Sequence, residues 1–273
     1  MPSPRRTLDD PEPPYALPLD APVDREDAAR VAREQASVLE GLGVAIAGRV
    51  EDFAPGRVTA IMHLEGADPL APDLSDLDEW YERGLRSIGL TWSRPNAFAD
   101  GVPFEFPASG NPGRGLTDAG RRLVEACNER GILVDLSHLS PAGFWDVAEL
   151  SDAPLVATHS NALALCASSR NLTDEQLDAV GESGGVVGVN FGNQFLRRDG
   201  RPDSSTPVAD IVAHIDYIAG RIGIDHVAFG SDFEGTTVPD GLTGFPALPY
   251  GEDDVAKVTH RNWLRVLERT WKG

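Results

Sequence analysis

The sequence predicts an α/β fold of the (β/α) TIM-barrel type, and three observations carry that reading. Apolar runs and amphipathic stretches alternate, strand then helix, from about residue 58 to the C-terminus. The apolar runs are short and continuous, as expected of parallel strands buried on both faces. Polar residues gather after the strands, on the side leading into the next helix, which in a (β/α) barrel is the face that carries chemistry. A doubly wound open sheet is the rival architecture. It normally offers a glycine-rich phosphate loop after its first strand, and "HLEGAD" at 63–68 is not such a loop.

The elements follow in order. Residues 1–22, rich in proline and charge, predict an extended or loose lead-in, and 23–273 a single barrel-type catalytic domain. A helix is expected over 24–41, where Ala, Glu, Arg and Leu recur at helical spacing and Gly41 is a stop. Six strands are expected, at 58–64, 87–92, 132–137, 154–158, 185–191 and 226–231. Between them, 75–85 reads as a helix and 97–115 as a long loop rich in Gly, Pro and Phe, of a length that often serves function. Thr117 is an N-cap and Gly131 a C-terminal stop for the next helix. Ser140 followed by Pro141 opens another, and Thr173 with Gln176 forms a capping box for a third. Helices over 207–223 and 253–271 complete the pattern.

Composition narrows the function classes. With 24 Lys+Arg against 43 Asp+Glu, the net charge of −19 argues against nucleic acid or an anionic membrane surface as partner. The 41% hydrophobic content suits a globular protein with a substantial core. Cys127 and Cys166 are the two cysteines, and no CxxC occurs, which fits a reduced, cytoplasmic setting. No run approaches the roughly 18 apolar residues of a membrane span. The two N-terminal arginines have no apolar stretch behind them, so no secretory signal is expected.

Four expected strand ends carry metal- or proton-handling groups: Glu65, His138, His159 and Asp232. Parallel strands set their C-terminal ends side by side, so these groups should converge. Two imidazoles and a carboxylate, with water completing the set, suit Zn²⁺. A single strand-end histidine is more often structural, but four such positions together are hard to obtain by accident. His63 shares a strand face with Glu65 and reads as a core or supporting residue. His214 and His260 fall in helices, and His226 starts a strand at the opposite face. Arg170 lies between a strand end and a capped helix. There it either clamps a substrate carboxylate by a two-pronged hydrogen bond or is a surface arginine paired with an acid. The cysteines read as small buried hydrophobes.

"HLEGAD", "GLTDAGRRLVEACNERGILVDLSHLS", "APLVATHSNALALCASSRNLTDEQL", "GGVVGVNF" and "GSDFEG" occur in one order and spacing. Together they resemble the membrane (renal) dipeptidase family, the M19-type metallopeptidases. The resemblance implies a (β/α)₈ barrel of metallo-dependent hydrolase type with two zinc ions, acting on dipeptides with a free C-terminal carboxylate. By position, Glu65 resembles the metal-bridging carboxylate, and His138 and His159 the imidazole ligands of one zinc. Arg170 resembles the arginine that binds the substrate carboxylate, and Asp232 the acid/base at the scissile amide.

Two departures qualify these expectations. The family's first strand bears a His-x-Asp pair for the other zinc; the first 57 residues contain no histidine and so no such pair, and they offer no good match to the family's first two strands. The expectation is therefore a barrel lacking its start, with one zinc held by Glu65, His138 and His159, and weakened dipeptidase activity. Where many members have "LTH", this chain has "LTW", so Trp92 would meet the substrate with an indole N–H. The alternatives are an inactive dipeptidase-like barrel and another amidohydrolase activity on the same scaffold. Strand edges left open would favour association, as in a homodimer.

Overall fold

Asp24 begins the first long helix: its carboxylate accepts the backbone N–H of Glu26 and Asp27, two of the donors that a helix start leaves unpaired. The structure, a computed structural model, describes residues 11–242 and 250–272. Residues 1–10 of the expected lead-in lie outside the described residues. Within the rest of it, β1 (Tyr15–Ala16) is extended and pairs antiparallel with β6 (Glu105–Phe106).

After α1 (Arg25–Gly41) comes β2 (Ala45–Ile46), which pairs in parallel with β3 (Thr59–Ala60). The run expected as one strand over 58–64 is thus two pieces. β3 belongs to the small pair, and β4 (Met62–Glu65) opens the main sheet. α2 (Leu77–Glu82) is tied to α1 by the two-pronged pair of Arg33 with Glu79. β5 (Leu85–Gly89), α3 (Asp118–Arg130), β7 (Leu133–Asp135) and α4 (Pro141–Leu150) follow. Then come β8 (Val156–Ala157), α5 (Asp174–Glu182), β9 (Val186–Val189), the short α6 (Asn193–Leu196), α7 (Val208–Ile222) and β10 (Val227–Phe229).

The six strands β4, β5, β7, β8, β9 and β10 form one sheet in sequence order, and every neighbouring pair is parallel. Among the described residues no strand joins β10 back to β4. The caps expected at Thr117, Ser140 and Thr173 are all made, each hydroxyl accepting a backbone N–H of the first turn. At Gly131 the chain turns left-handed with φ 69°, and a Cβ there would lie 2.4 Å from the Lys272 nitrogen.

Several strands are shorter than the apolar runs that announce them, because side chains replace the ladder at their ends. Asp135 Oδ1 accepts the N–H of both Ser137 and Thr158, and Ser137 Oγ accepts the N–H of His159. The ends of β7 and β8 are therefore stitched together by a carboxylate and a hydroxyl.

The expected single helix over 253–271 is α8 (Glu252–Ala256), a wide π turn over Lys257–Arg261, and α9 (Asn262–Thr270). α9 lies along β10: Asn262 Nδ2 donates to the Val227 carbonyl and Trp263 Nε1 to that of Phe229. Val266, Leu267 and Trp271 pack on Leu133, Val156, Val186 and Ala228, filling one face of the sheet. The helices α3, α5 and α7 cover the other face through a larger core that includes Ile88, Val134, Val187 and Val189.

Candidate active site

Glu65 ends β4, and Gly66 follows with φ 96°, a turn that leaves no room for a Cβ against the Asp68 carboxylate at 2.7 Å. His138 and Asp232, just beyond β7 and β10, have φ 66° and 54°. Non-glycine residues rarely take such angles and do so where the surroundings hold them, often at functional sites. For His138 the hold is visible: its carbonyl accepts the N–H of Val102 at 2.7 Å.

Three of the four expected strand-end groups meet. His138 Nε2 and His159 Nε2 each lie 3.3 Å from Glu65 Oε1, and the three ligand atoms fall within 4.8 Å of one another. The His138 side chain is buried, that of His159 is 11% exposed and that of Glu65 37%. Burial opposes the charge on Glu65, but the two imidazoles hold its carboxyl well below the usual range. Burial pushes His138 down to about 3, reinforced by the Arg170 charge. For His159, burial is outweighed by Glu65 and Asp135, and its pKa rises.

The proton inventory of His159 tests whether a metal fits. Thr158 Oγ1 lies 2.5 Å from Asp135 Oδ2, an acceptor when ionised, so the hydroxyl proton goes to Asp135. The same oxygen lies 2.8 Å from His159 Nδ1 and can then only accept, which puts the ring proton on Nδ1. His159 Nε2 is left buried without a hydrogen-bond partner, its lone pair turned toward Glu65. Two acceptors at that separation repel unless a proton or a cation lies between them. Two imidazole nitrogens and a carboxylate are a donor set that suits a borderline-soft divalent metal.

Asp232 is not part of this cluster. Its Oδ2 accepts Asn190 Nδ2 at 3.0 Å, and burial raises its pKa. Arg170 is 3% exposed and has no ion pair among the described residues, unlike a surface arginine. Its Nη2 donates to the His159 carbonyl at 3.4 Å, its Nε has no partner, and its guanidinium lies 5.7 Å from the Phe195 ring. Burial lowers its pKa to about 10. Trp92 stacks on His138 at 5.5 Å and 29°, and also touches Phe104.

The other histidines divide. His63 holds Ser87 Oγ through Nδ1 at 2.9 Å and sits 4.0 Å from Asp135 Oδ2, consistent with a supporting place beneath Glu65. His214 bridges two backbones, accepting from Ala162 N and donating to the Leu196 carbonyl. His226 donates to the Gly185 carbonyl at the far end of β10. His260, in the π turn, lines a cleft of ≈ 630 Å³ together with Glu65, His159 and Asp232. A smaller cavity of ≈ 80 Å³ lies beside His138 and Arg170. Cys127 and Cys166 are buried and unpaired, and burial pushes both thiols up to about 12.

Sequence reasoning missed Asp135, Thr158 and Ser93, whose Oγ lies 2.8 Å from His138 Nδ1. The available signal was position: Thr158 directly precedes His159, and Asp135 stands three residues before His138 inside an apolar strand.

A family model described as membrane dipeptidase (peptidase family M19) matches residues 29–272. A metallo peptidase from Rhodobacter sphaeroides, solved with a phosphinate mimic of the dipeptide L-Ala-D-Ala, superposes with a TM-score of 0.92 at 46% identity; the match covers 95% of this chain and 80% of that one. An uncharacterized protein in the pqqA 5' region of Klebsiella pneumoniae is 45% identical over 259 residues, 88% of this chain and 96% of its own. Dipeptidase aclJ of Aspergillus oryzae is 34% identical over 225 residues, 78% of this chain and 52% of its own length. The six-stranded parallel sheet is accordingly that of a TIM-barrel-like metallo-dependent hydrolase.

Proposed function

The chain belongs to the membrane dipeptidase family, peptidase family M19, and on that premise we propose that it hydrolyses dipeptides bearing a free C-terminal carboxylate at one zinc ion held by Glu65, His138 and His159. The observation that carries the proposal is the meeting of three ligand atoms around an unpartnered His159 Nε2. A zinc ion so held supplies a Lewis acid for the carbonyl and lowers the pKa of water.

The chain's own residues do the rest. Arg170, buried and with an unused Nε–H, offers a charged fork for the substrate carboxylate. Placing that carboxylate fixes the scissile amide relative to the ligands, which is a large part of the rate gain in such sites. Asp232, its Oδ2 fixed by the Asn190 amide, takes the proton released by the attacking water and passes it to the leaving amine. Trp92 shields one face of His138 and could meet substrate only from that side.

We further propose that residues 23–273 act as one catalytic unit, that the protein works in the reduced cytoplasm, and that it pairs as a homodimer. Two buried, unpaired cysteines support the second point, and the position of β4 at the end of the sheet, with no further strand of that sheet beside it among the described residues, the third. Among the described residues no helix is long and apolar enough to cross a membrane. A second reading, a scaffold that binds metal without turnover, is favoured by the small ligand set and the open cleft beside it.

Hydrolysis of Gly- and Ala-containing dipeptides by the zinc-loaded chain decides between them. Chelator-sensitive turnover is expected; a zinc-loaded chain with no turnover would leave only the second reading.

A further inference from the structure

Asp135 is 1% exposed and sits between the two histidine-bearing strand ends. Its Oδ1 accepts the N–H of Ser137 at 2.9 Å and of Thr158 at 2.8 Å. Its Oδ2 accepts the Thr158 hydroxyl and lies 4.0 Å from both His159 Nδ1 and His63 Nε2. A buried carboxylate that receives this many donors is held in one orientation. The Thr158 hydroxyl has a single proton, and Asp135 takes it, so the oxygen can only accept from the imidazole.

We propose that Asp135 is a positioning residue that fixes the tautomer of His159 through the Thr158 hydroxyl, so that Nε2 faces Glu65 bare. This rests on the reading of Glu65, His138 and His159 as metal ligands. Asp135 touches neither substrate nor metal. It acts by removing the alternative ring tautomer, with the proton on Nε2, in which the nitrogen facing Glu65 would have no lone pair for a cation. Partners of this kind on metal-ligating histidines are typically worth a 10- to 100-fold change in metal affinity.

The test uses the full chain with ¹⁵N-labelled histidine, metal-free at about pH 9, where a histidine ring is neutral. Long-range ¹H–¹⁵N correlations report which ring nitrogen carries the proton. Zinc affinity is measured in parallel by competition with a chromophoric chelator. The wild type is expected in the Nδ1–H form. Thr158→Val and Asp135→Asn are expected to populate the Nε2–H form and to bind zinc about 10- to 100-fold more weakly. Thr158→Ser, which keeps the hydroxyl, is expected to retain both the tautomer and the affinity; it and Thr158→Val preserve the test if Asp135→Asn fails to fold. An Nε2–H wild type, or a Thr158→Val chain with wild-type tautomer and affinity, overturns the proposal. A wild type that binds no zinc overturns the ligand reading instead, while the tautomer comparison still decides the role of Asp135.

Discussion

Arg170 carries its charge where little water reaches it, with one N–H unused. A buried cation without an ion pair is costly and is kept where a ligand supplies the counter-charge. Arg170→Ala should raise KM for dipeptides about 30- to 150-fold, the equivalent of a charge-assisted bond of about 2–3 kcal/mol, with a much smaller effect on C-terminally amidated analogues. Steady-state kinetics on the matched pair of substrates checks this, and Arg170→Lys should restore only part of the loss. His214 makes a prediction of a different kind. Burial pushes its pKa down to about 4, and both ring nitrogens are engaged by backbone in the neutral form. In the unfolded chain the ring takes its proton near 6.5, so between those values the unfolded state binds more protons. The stability His214 contributes is therefore complete above about pH 6.5 and falls by roughly 3 kcal/mol as pH drops toward 4. Urea melts across that window should show a flatter pH slope for His214→Gln than for the wild type.

At the scale of elements, strand identity and strand length have different origins. Six apolar runs announce six strands because both faces of a parallel sheet are covered, and the runs "GILVDL" and "GGVVGVN" lie where β7 and β9 form. Their ends were not legible, because Asp135 and Ser137 take backbone partners that a ladder would otherwise supply, and hydrogen-bonding choices of that kind leave no periodicity. The same holds for the C-terminal segment, where an apolar period suited to one helix conceals the π turn that brings His260 to the cleft. Glu65, His138 and His159 could be singled out because parallel strands align their C-terminal ends; that argument needs only the order of elements. Asp135 and Thr158 could not, since their value lies in where one proton sits. Caps were the most legible feature, as the chemistry of a helix end is local. Gly131 offers a direct check of one such end. Gly131→Ala forces a Cβ against the Lys272 and Thr270 backbone in a left-handed conformation and should cost about 2 kcal/mol or more, measured by chemical denaturation.

For the whole molecule, the sheet order places Glu65 on one edge strand and Asp232 just past the other, with the cleft between them. α9 fills the sheet face at one end through Val266, Leu267 and Trp271, and the cluster of Glu65, His138 and His159 occupies the other. Since Glu65, His138 and His159 come from β4 and the ends of β7 and β8, an ion bound between them would tie together parts of the chain far apart in sequence. Zinc should therefore stabilise the fold by about 2.7 kcal/mol at a free concentration of 100 times Kd. Thermal melts with and without chelator should show that difference, and it should vanish in His159→Ala.

The most direct test is the number of zinc ions that the intact chain retains, read by native mass spectrometry after exhaustive removal of loosely bound metal. The account predicts one equivalent, lost when Glu65, His138 or His159 is replaced by alanine. Two tightly held equivalents, none, or one that survives all three replacements would contradict it.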